Sequence, residues 1–296
     1  MSKKPVSKPK QEVGTTGHRW DGIEELNNPL PRWWLWTFYG CVVWALVYSV
    51  LYPAWPLATR ATAGLLGFST RADVAAEIDQ FDAQNAAIKQ RLVDTELTAI
   101  ADDPELVSFA NNAGAAVFRT WCAQCHGSGA QGNQTVGYPN LLDNSWLWGG
   151  TIDQIYLSVK HGVRNEQDSD ARWSEMSAFG RDEMLSEEEI NQAVNYVLKI
   201  SGQENEPTLA EAGETVFADN CAACHGETGT GDPEQGAPNL TDAIWLYGGD
   251  EATIHETVWG GRFGIMPPQG GATTAAVGEP EVRAVSFYVH GLGGGE

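Results

Sequence analysis

Hydrophobic and polar positions divide this chain into three regimes. Residues 1–17 (MSKKPVSKPKQEVGTTG) offer almost nothing to bury and predict a disordered, basic tail. Residues 18–32 remain polar but include Trp20, Ile23 and Leu26, more apolar surface than a solvated tail needs. Trp33 to Tyr52 then runs twenty residues without a charge. At about 1.5 Å per residue, a helix of that length spans roughly the 30 Å of a bilayer's hydrocarbon core. Trp33, Trp34 and Trp36 crowd one end, and Tyr48, Tyr52 and Trp55 the other, where interfacial aromatic belts belong.

Beyond the apolar run the period is helical. Val74, Ile78, Phe81, Ile88 and Leu92 predict a long helix over 72–98. Asp103-Pro104 combines an N-cap with a first-turn proline, and opens a helix running through Leu106, Phe109, Gly114, Val117 and Phe118 into Cys122. Thr208-Leu209-Ala210-Glu211 reads as a capping box for an equivalent helix reaching Cys221. A second box, Ser186 to Glu189, and the pair Pro280-Glu281 open two more helices. The fold class expected is mostly α.

Residues 110–163 laid over 209–262 hold register at an offset of 99. Gly114 meets Gly213, Phe118 meets Phe217, Pro139-Asn140-Leu141 meets Pro238-Asn239-Leu240, and Trp146-Leu147-Trp148-Gly149-Gly150 meets Trp245-Leu246-Tyr247-Gly248-Gly249. Similarity over that length implies two copies of one domain. The division expected is an N-terminal segment (1–32), a membrane helix (33–52), a spacer (53–103), and two tandem domains over 104–202 and 203–296.

At the centre of each copy lies Cys-x-x-Cys-His, as Cys122-Ala123-Gln124-Cys125-His126 and Cys221-Ala222-Ala223-Cys224-His225. Two cysteines three apart can form thioethers to the vinyl groups of one porphyrin, and the histidine that follows can bind its iron. A redox dithiol has no need of that histidine, and a zinc site built from both pairs would need two histidines at the same offset by coincidence. Two covalent haem c groups are expected, on Cys122 and Cys125 with His126, and on Cys221 and Cys224 with His225. The fifth cysteine, Cys41, sits in the apolar run as a small hydrophobe.

Methionine on the far side of a haem iron raises the potential and suits electron transfer, whereas an open site invites oxygen or peroxide. Met176 and Met266 sit in matching loops, and prolines stiffen the second (Met266-Pro267-Pro268). They are the expected distal ligands, Met176 for the first haem with His161 as its rival. Met184 is read as packing, His255 and His290 as helix-surface residues. With both irons saturated, no catalytic residue is expected on the chain itself.

Charge narrows the partners. The net charge of −21 is uneven: residues 1–60 carry seven Lys/Arg against four Asp/Glu, and the remainder eleven against thirty-five. Such an acidic surface argues against nucleic acid and would steer a basic partner. Six Lys/Arg precede the apolar run and only Arg60 and Arg71 follow closely. This places the N-terminus in the cytoplasm and the haem motifs in the bacterial periplasm. A cleaved signal peptide ending near Ala61-Thr62-Ala63 competes, but a signal's apolar core is usually only about 7–15 residues.

The block Asp21-Gly22-Ile23-Glu24-Glu25-Leu26-Asn27-Asn28-Pro29-Leu30-Pro31-Arg32-Trp33-Trp34-Leu35-Trp36, followed by one span and two cytochrome motifs, resembles the membrane-anchored di-haem subunit (CcoP/FixP) of cbb3-type cytochrome c oxidases. The resemblance implies an inner-membrane electron-transfer subunit. Its donor would be a cytochrome c or the bc1 complex, and its acceptors the mono-haem and haem–copper subunits. A free-standing di-haem shuttle, or the cytochrome subunit of a periplasmic dehydrogenase, fits the tandem domains but not the N-terminal block. A di-haem peroxidase would need an open iron.

Overall fold

The computed structural model describes residues 13–270 and 277–296. The chain forms two compact units, one ending at Ala83 and one beginning at Gln84. Residues 1–12 of the tail expected to be disordered lie outside the described residues.

In the first unit, strands β1 (Thr15–Trp20) and β2 (Ile23–Leu26) form an antiparallel hairpin, with Trp20 opposite Ile23 and Arg19 opposite Glu24. Thr15 to Gly17, expected to belong to a disordered tail, are part of this hairpin. Asp21 and Gly22, both at positive φ, supply the two-residue turn that such a hairpin requires. Helix α1 (Arg32–Leu51) follows and buries none of its residues within the protein. A fully exposed apolar helix is untenable in water, and α1 is long and apolar enough to cross a membrane. At its C-terminal end the chain folds back, and Leu65 and Leu66 donate backbone N–H groups to the Val50 and Leu51 carbonyls. Those acceptors would otherwise be left without partners.

Helix α2 (Thr70–Asp94) stops short of 98, and a 3₁₀ turn (Leu97–Asp102) takes over. The second unit begins within α2. There Leu92, with Leu97 and Ile100, is buried against Leu106, Ala110, Ile152 and Ala284. The end of α2 therefore belongs to the core of the second unit.

That region contains α3 (Pro104–Val117), a π turn (Phe118–Cys122), α4 (Ala123–His126), α5 (Ile152–His161), α6 (Glu187–Ile200), α7 (Pro207–Asn220), α8 (Ala222–His225), α9 (Glu251–Gly260) and α10 (Glu279–His290). Asp103 caps α3 through the Glu105 and Leu106 amides, and Ser186 with Glu189 forms a reciprocal capping box on α6, both as the sequence predicts. Helix α7 starts earlier than its expected box. Glu206 accepts from Thr208 and Leu209, with Pro207 in the first turn.

The helices do not group as two contiguous domains. Helix α10 packs on α3 and α5, while α6 packs on α7 and α9. Tyr288 of α10 lies against Phe118, and Tyr196 of α6 against Phe217, with ring centroids 5.8 and 5.1 Å apart. Gly114 is where α3 meets α10: a Cβ there would strike the Ala284 carbonyl. At Gly213 a Cβ would strike the Gln192 carbonyl of α6. Each copy thus sends its last helix to the other copy's first helix, an exchange of like elements within one chain. The segments cross where Val163 pairs antiparallel with Met266. Two cores result: Phe118, Ile155 and Val159 with Val282, Val285 and Val289, and Phe217, Ile254 and Val258 with Ile190, Val194 and Val197.

Candidate haem sites

Each Cys-x-x-Cys-His motif ends a helical stretch and is held by a loop of the same shape. The His126 amide-plane neighbours show the pattern: the His126 carbonyl accepts from Gly132 and the Ala130 carbonyl from Leu141. In the second copy, the His225 and Gly229 carbonyls accept from Gly231 and Leu240. His126 Nδ1 donates to the Pro139 carbonyl, and His225 Nδ1 to the Pro238 carbonyl, each at 3.0 Å. Pinning Nδ1–H fixes the tautomer and leaves Nε2 with its lone pair, the form in which imidazole binds a metal. Burial pushes both imidazoles below their ordinary pKa against the smaller opposing pull of those carbonyls, so they are neutral at pH 7.

Each motif opens on a cleft enclosing, mouth included, about 1300 Å³ at His126 and about 1380 Å³ at His225. Cys122, Cys125 and His126 share theirs with Trp146, Val285, Val289 and Met266. Cys221, Cys224 and His225 share theirs with Trp245, Ile254, Val258 and Met176. The expected pairing is therefore corrected. Met266 faces the first motif and Met176 the second, because each methionine precedes a helix that has crossed to the other copy. His161 lines neither cleft, and its Nδ1 lies 3.1 Å from Asp168 Oδ2. Met184 is exposed. His255 and His290 are engaged by Glu187 and the Glu296 carbonyl.

The residues fit a covalently attached haem. None of the four motif cysteines is in a disulfide, and burial, with a smaller push from the neighbouring cysteine, raises Cys122 and Cys221 to about 11. A first cysteine held protonated makes each pair a poor zinc site or redox dithiol. The two pairs also line separate clefts rather than one four-ligand site. In the wall of the first cleft, Trp148 Nε1 is sealed from solvent and has no acceptor among the described residues, a donor suited to a carboxylate carried by the ligand.

The clefts are back to back. Leu147, Arg164, Leu246 and Gly264 line both. Gly137 has no side chain because the Tyr247 ring lies against it, and Gly236 receives Trp148 in the same way. Motif reading alone does not find Arg164, which falls just beyond the aligned repeat. Its signal is that the position 99 residues later is Phe263, so the repeat changes character there.

Comparison with known proteins identifies three segments of the chain. Residues 12–59 match the N-terminal domain of cytochrome oxidase-cbb3, FixP; residues 109–197 match cytochrome c oxidase, cbb3-type, subunit III; and residues 210–293 match cytochrome c. A cbb3-type cytochrome c oxidase subunit CcoP of Cereibacter sphaeroides is 61% identical over 296 residues, covering all of both chains. The CcoP subunit of Rhodobacter capsulatus is 56% identical over 301 residues, again covering both chains in full. A FixP subunit of Sinorhizobium medicae is 48% identical over 284 residues, covering 96% of each chain.

Proposed function

The chain belongs to the CcoP/FixP family of cbb3-type cytochrome c oxidase subunits, with a covalent haem c in each of its two cytochrome c domains, and on that premise we propose the path and ligands by which it carries electrons. Each haem, when bound, supplies a one-electron couple. A neutral histidine and a thioether in each cleft would hold the haem and set the potential of that couple. His126 with Met266 serves the haem on Cys122 and Cys125, and His225 with Met176 serves the haem on Cys221 and Cys224. The observation that carries this reading is that each cleft sets a methionine among apolar residues with its motif. Ligation by both residues would leave no place on the iron for oxygen, and the apolar walls would favour the less charged, reduced state.

Electrons enter from a cytochrome c donor or the bc1 complex and leave towards the mono-haem subunit and the haem–copper subunit that reduces oxygen. Helix α1 anchors the chain in the bacterial inner membrane. The basic N-terminal segment is cytoplasmic and the cytochrome region periplasmic, in keeping with the positive charge that precedes the helix. The acidic surface of the cytochrome region suits a basic donor.

The test uses chains carrying one haem, made by Cys122→Ala with Cys125→Ala or by Cys221→Ala with Cys224→Ala. Met266→Ala should abolish the low-spin spectrum and lower the potential of the first haem alone, without detaching it. Met176→Ala should do the same to the second. The reverse pattern would restore contiguous pairing; no spectral change in either would remove methionine from both irons.

A further inference from the structure

Among the residues that line both clefts, one, Arg164, is a cation without a countercharge among the described residues. Arg164 follows the last residues of α5, and its backbone lies in the left-handed region at φ 51°, a conformation a non-glycine residue adopts at a cost. Its Nε donates to the Ser174 carbonyl and its Nη1 to the Gly264 carbonyl at 3.1 Å. The guanidinium carbon lies 5.7 Å from the Trp148 ring centroid and 5.8 Å from that of Phe263. Among the described residues no carboxylate comes within 4.0 Å of it, and Nη2 has no acceptor. Burial lowers the guanidinium pKa, opposed only at longer range by Tyr247 and Glu175.

A neighbouring arginine shows the contrast. Arg262 also lines the second cleft, but Glu256 lies 3.1 Å from its Nη1. A half-buried cation with nothing to balance it is costly, and a carboxylate supplied from outside the polypeptide would remove that cost. Haem carries two propionate carboxylates, and Arg164 borders both haem clefts. Its repeat counterpart, Phe263, touches it, so the two equivalent positions meet where the copies cross. Only one of the two is charged.

We propose that Arg164 is a single countercharge shared by propionates of both haems, and that it ties the two haem potentials together. The Trp148 indole N–H, unpaired in the first cleft, assists on that side only. A forked guanidinium can hold carboxylates on more than one edge, as an ammonium cannot. A fixed positive charge beside an iron disfavours the oxidised, more positive state, so it raises the potential of each haem it serves. The inference rests on a haem occupying each cleft, but not on which methionine binds which iron.

The test is a potentiometric titration of the full-length, two-haem chain and its Arg164→Gln variant. Both midpoint potentials should fall together while both haems keep their low-spin spectra. A low-spin spectrum retained in the variant separates this result from failure of the methionine assignment. A fall in one potential only, or in neither, overturns the proposal. If R164Q does not retain both haems, infrared difference spectra of the ¹⁵N-arginine-labelled wild-type chain decide it. A guanidinium band should respond to each haem's reduction step and vanish in R164K. A response to one step only, or to neither, overturns the sharing.

Discussion

The two haem clefts have the same parts but are assembled differently along the chain. Apart from Leu147, everything that lines the His225 cleft lies between Arg164 and Gly264, with α6, α7 and α9 following one another closely. Apart from the shared Leu246 and Gly264, the His126 cleft is built from two distant pieces: the stretch from Phe118 to Arg164 and, beyond the second cleft's residues, Ile265 to Gln269 with α10. The same ties are made at equivalent points with different chemistry. Glu187 at the start of α6 meets His255 of α9 at 2.9 Å, while Glu279 at the start of α10 accepts from Tyr156 of α5 at 2.5 Å and has Lys160 at 3.3 Å. Near-identical cores can thus be reached by local or by long-range closure, and only the long-range one depends on the C-terminus.

Removal of the residues after Gly264 should break that comparison most severely. It strips Met266 and α10 from the first cleft and leaves the second with Met176 and α6. The haem at His225 should keep its low-spin spectrum and potential, and the haem at His126 should lose both. Magnetic and visible spectra of the truncated chain check this. Damage confined to the His225 haem would mean the helices are not exchanged.

Single glycines should discriminate between the clefts more gently. Gly114→Ala pushes α10 away from α3, and Gly213→Ala pushes α6 away from α7. Each should cost about 1–3 kcal/mol, the usual range for overpacking a close contact. Denaturant unfolding followed at each haem should show the first substitution loosening the His126 cleft and the second the His225 cleft.

The smallest effect expected is alkaline. Lys160 is raised chiefly by its hydrogen bond with Tyr156, with Glu279 adding to it. Tyr156 is raised chiefly by burial and then by Glu279. A group whose pKa is higher in the fold contributes stability below its unfolded value and loses it as pH rises through the folded one. The tie between α5 and α10 should therefore weaken above about pH 10. The denaturant midpoint of the first cleft should fall there more steeply in the wild type than in Glu279→Gln. Equal slopes would remove this triad from the stability of the exchange.

The haem motifs, the repeat, the apolar span and the caps at Asp103 and Ser186 are legible in the sequence because each is a local pattern with a local physical cause. The partner of each last helix is not. Ile190, Val194, Tyr196 and Val197 recur 92 residues later as Val282, Ser286, Tyr288 and Val289. Either helix therefore offers nearly the same face to either copy, and periodicity cannot choose between them. What distinguishes the exchanged form is the crossing at Val163 and Met266, a pairing of segments more than a hundred residues apart. The hairpin escaped notice for a different reason: its strands are short and fully exposed, so neither shows the buried alternation that marks a strand.

The exchange also sets an order in time. A ribosome delivers the first motif long before α10, and the second cleft's last wall residue, Gly264, before Met266. The earlier haem site is thus the later one to be finished, and through most of synthesis the pocket at His126 stands open on one side. Thioether bonds suit that interval, since a porphyrin held by Cys122 and Cys125 needs no closed pocket to stay in place.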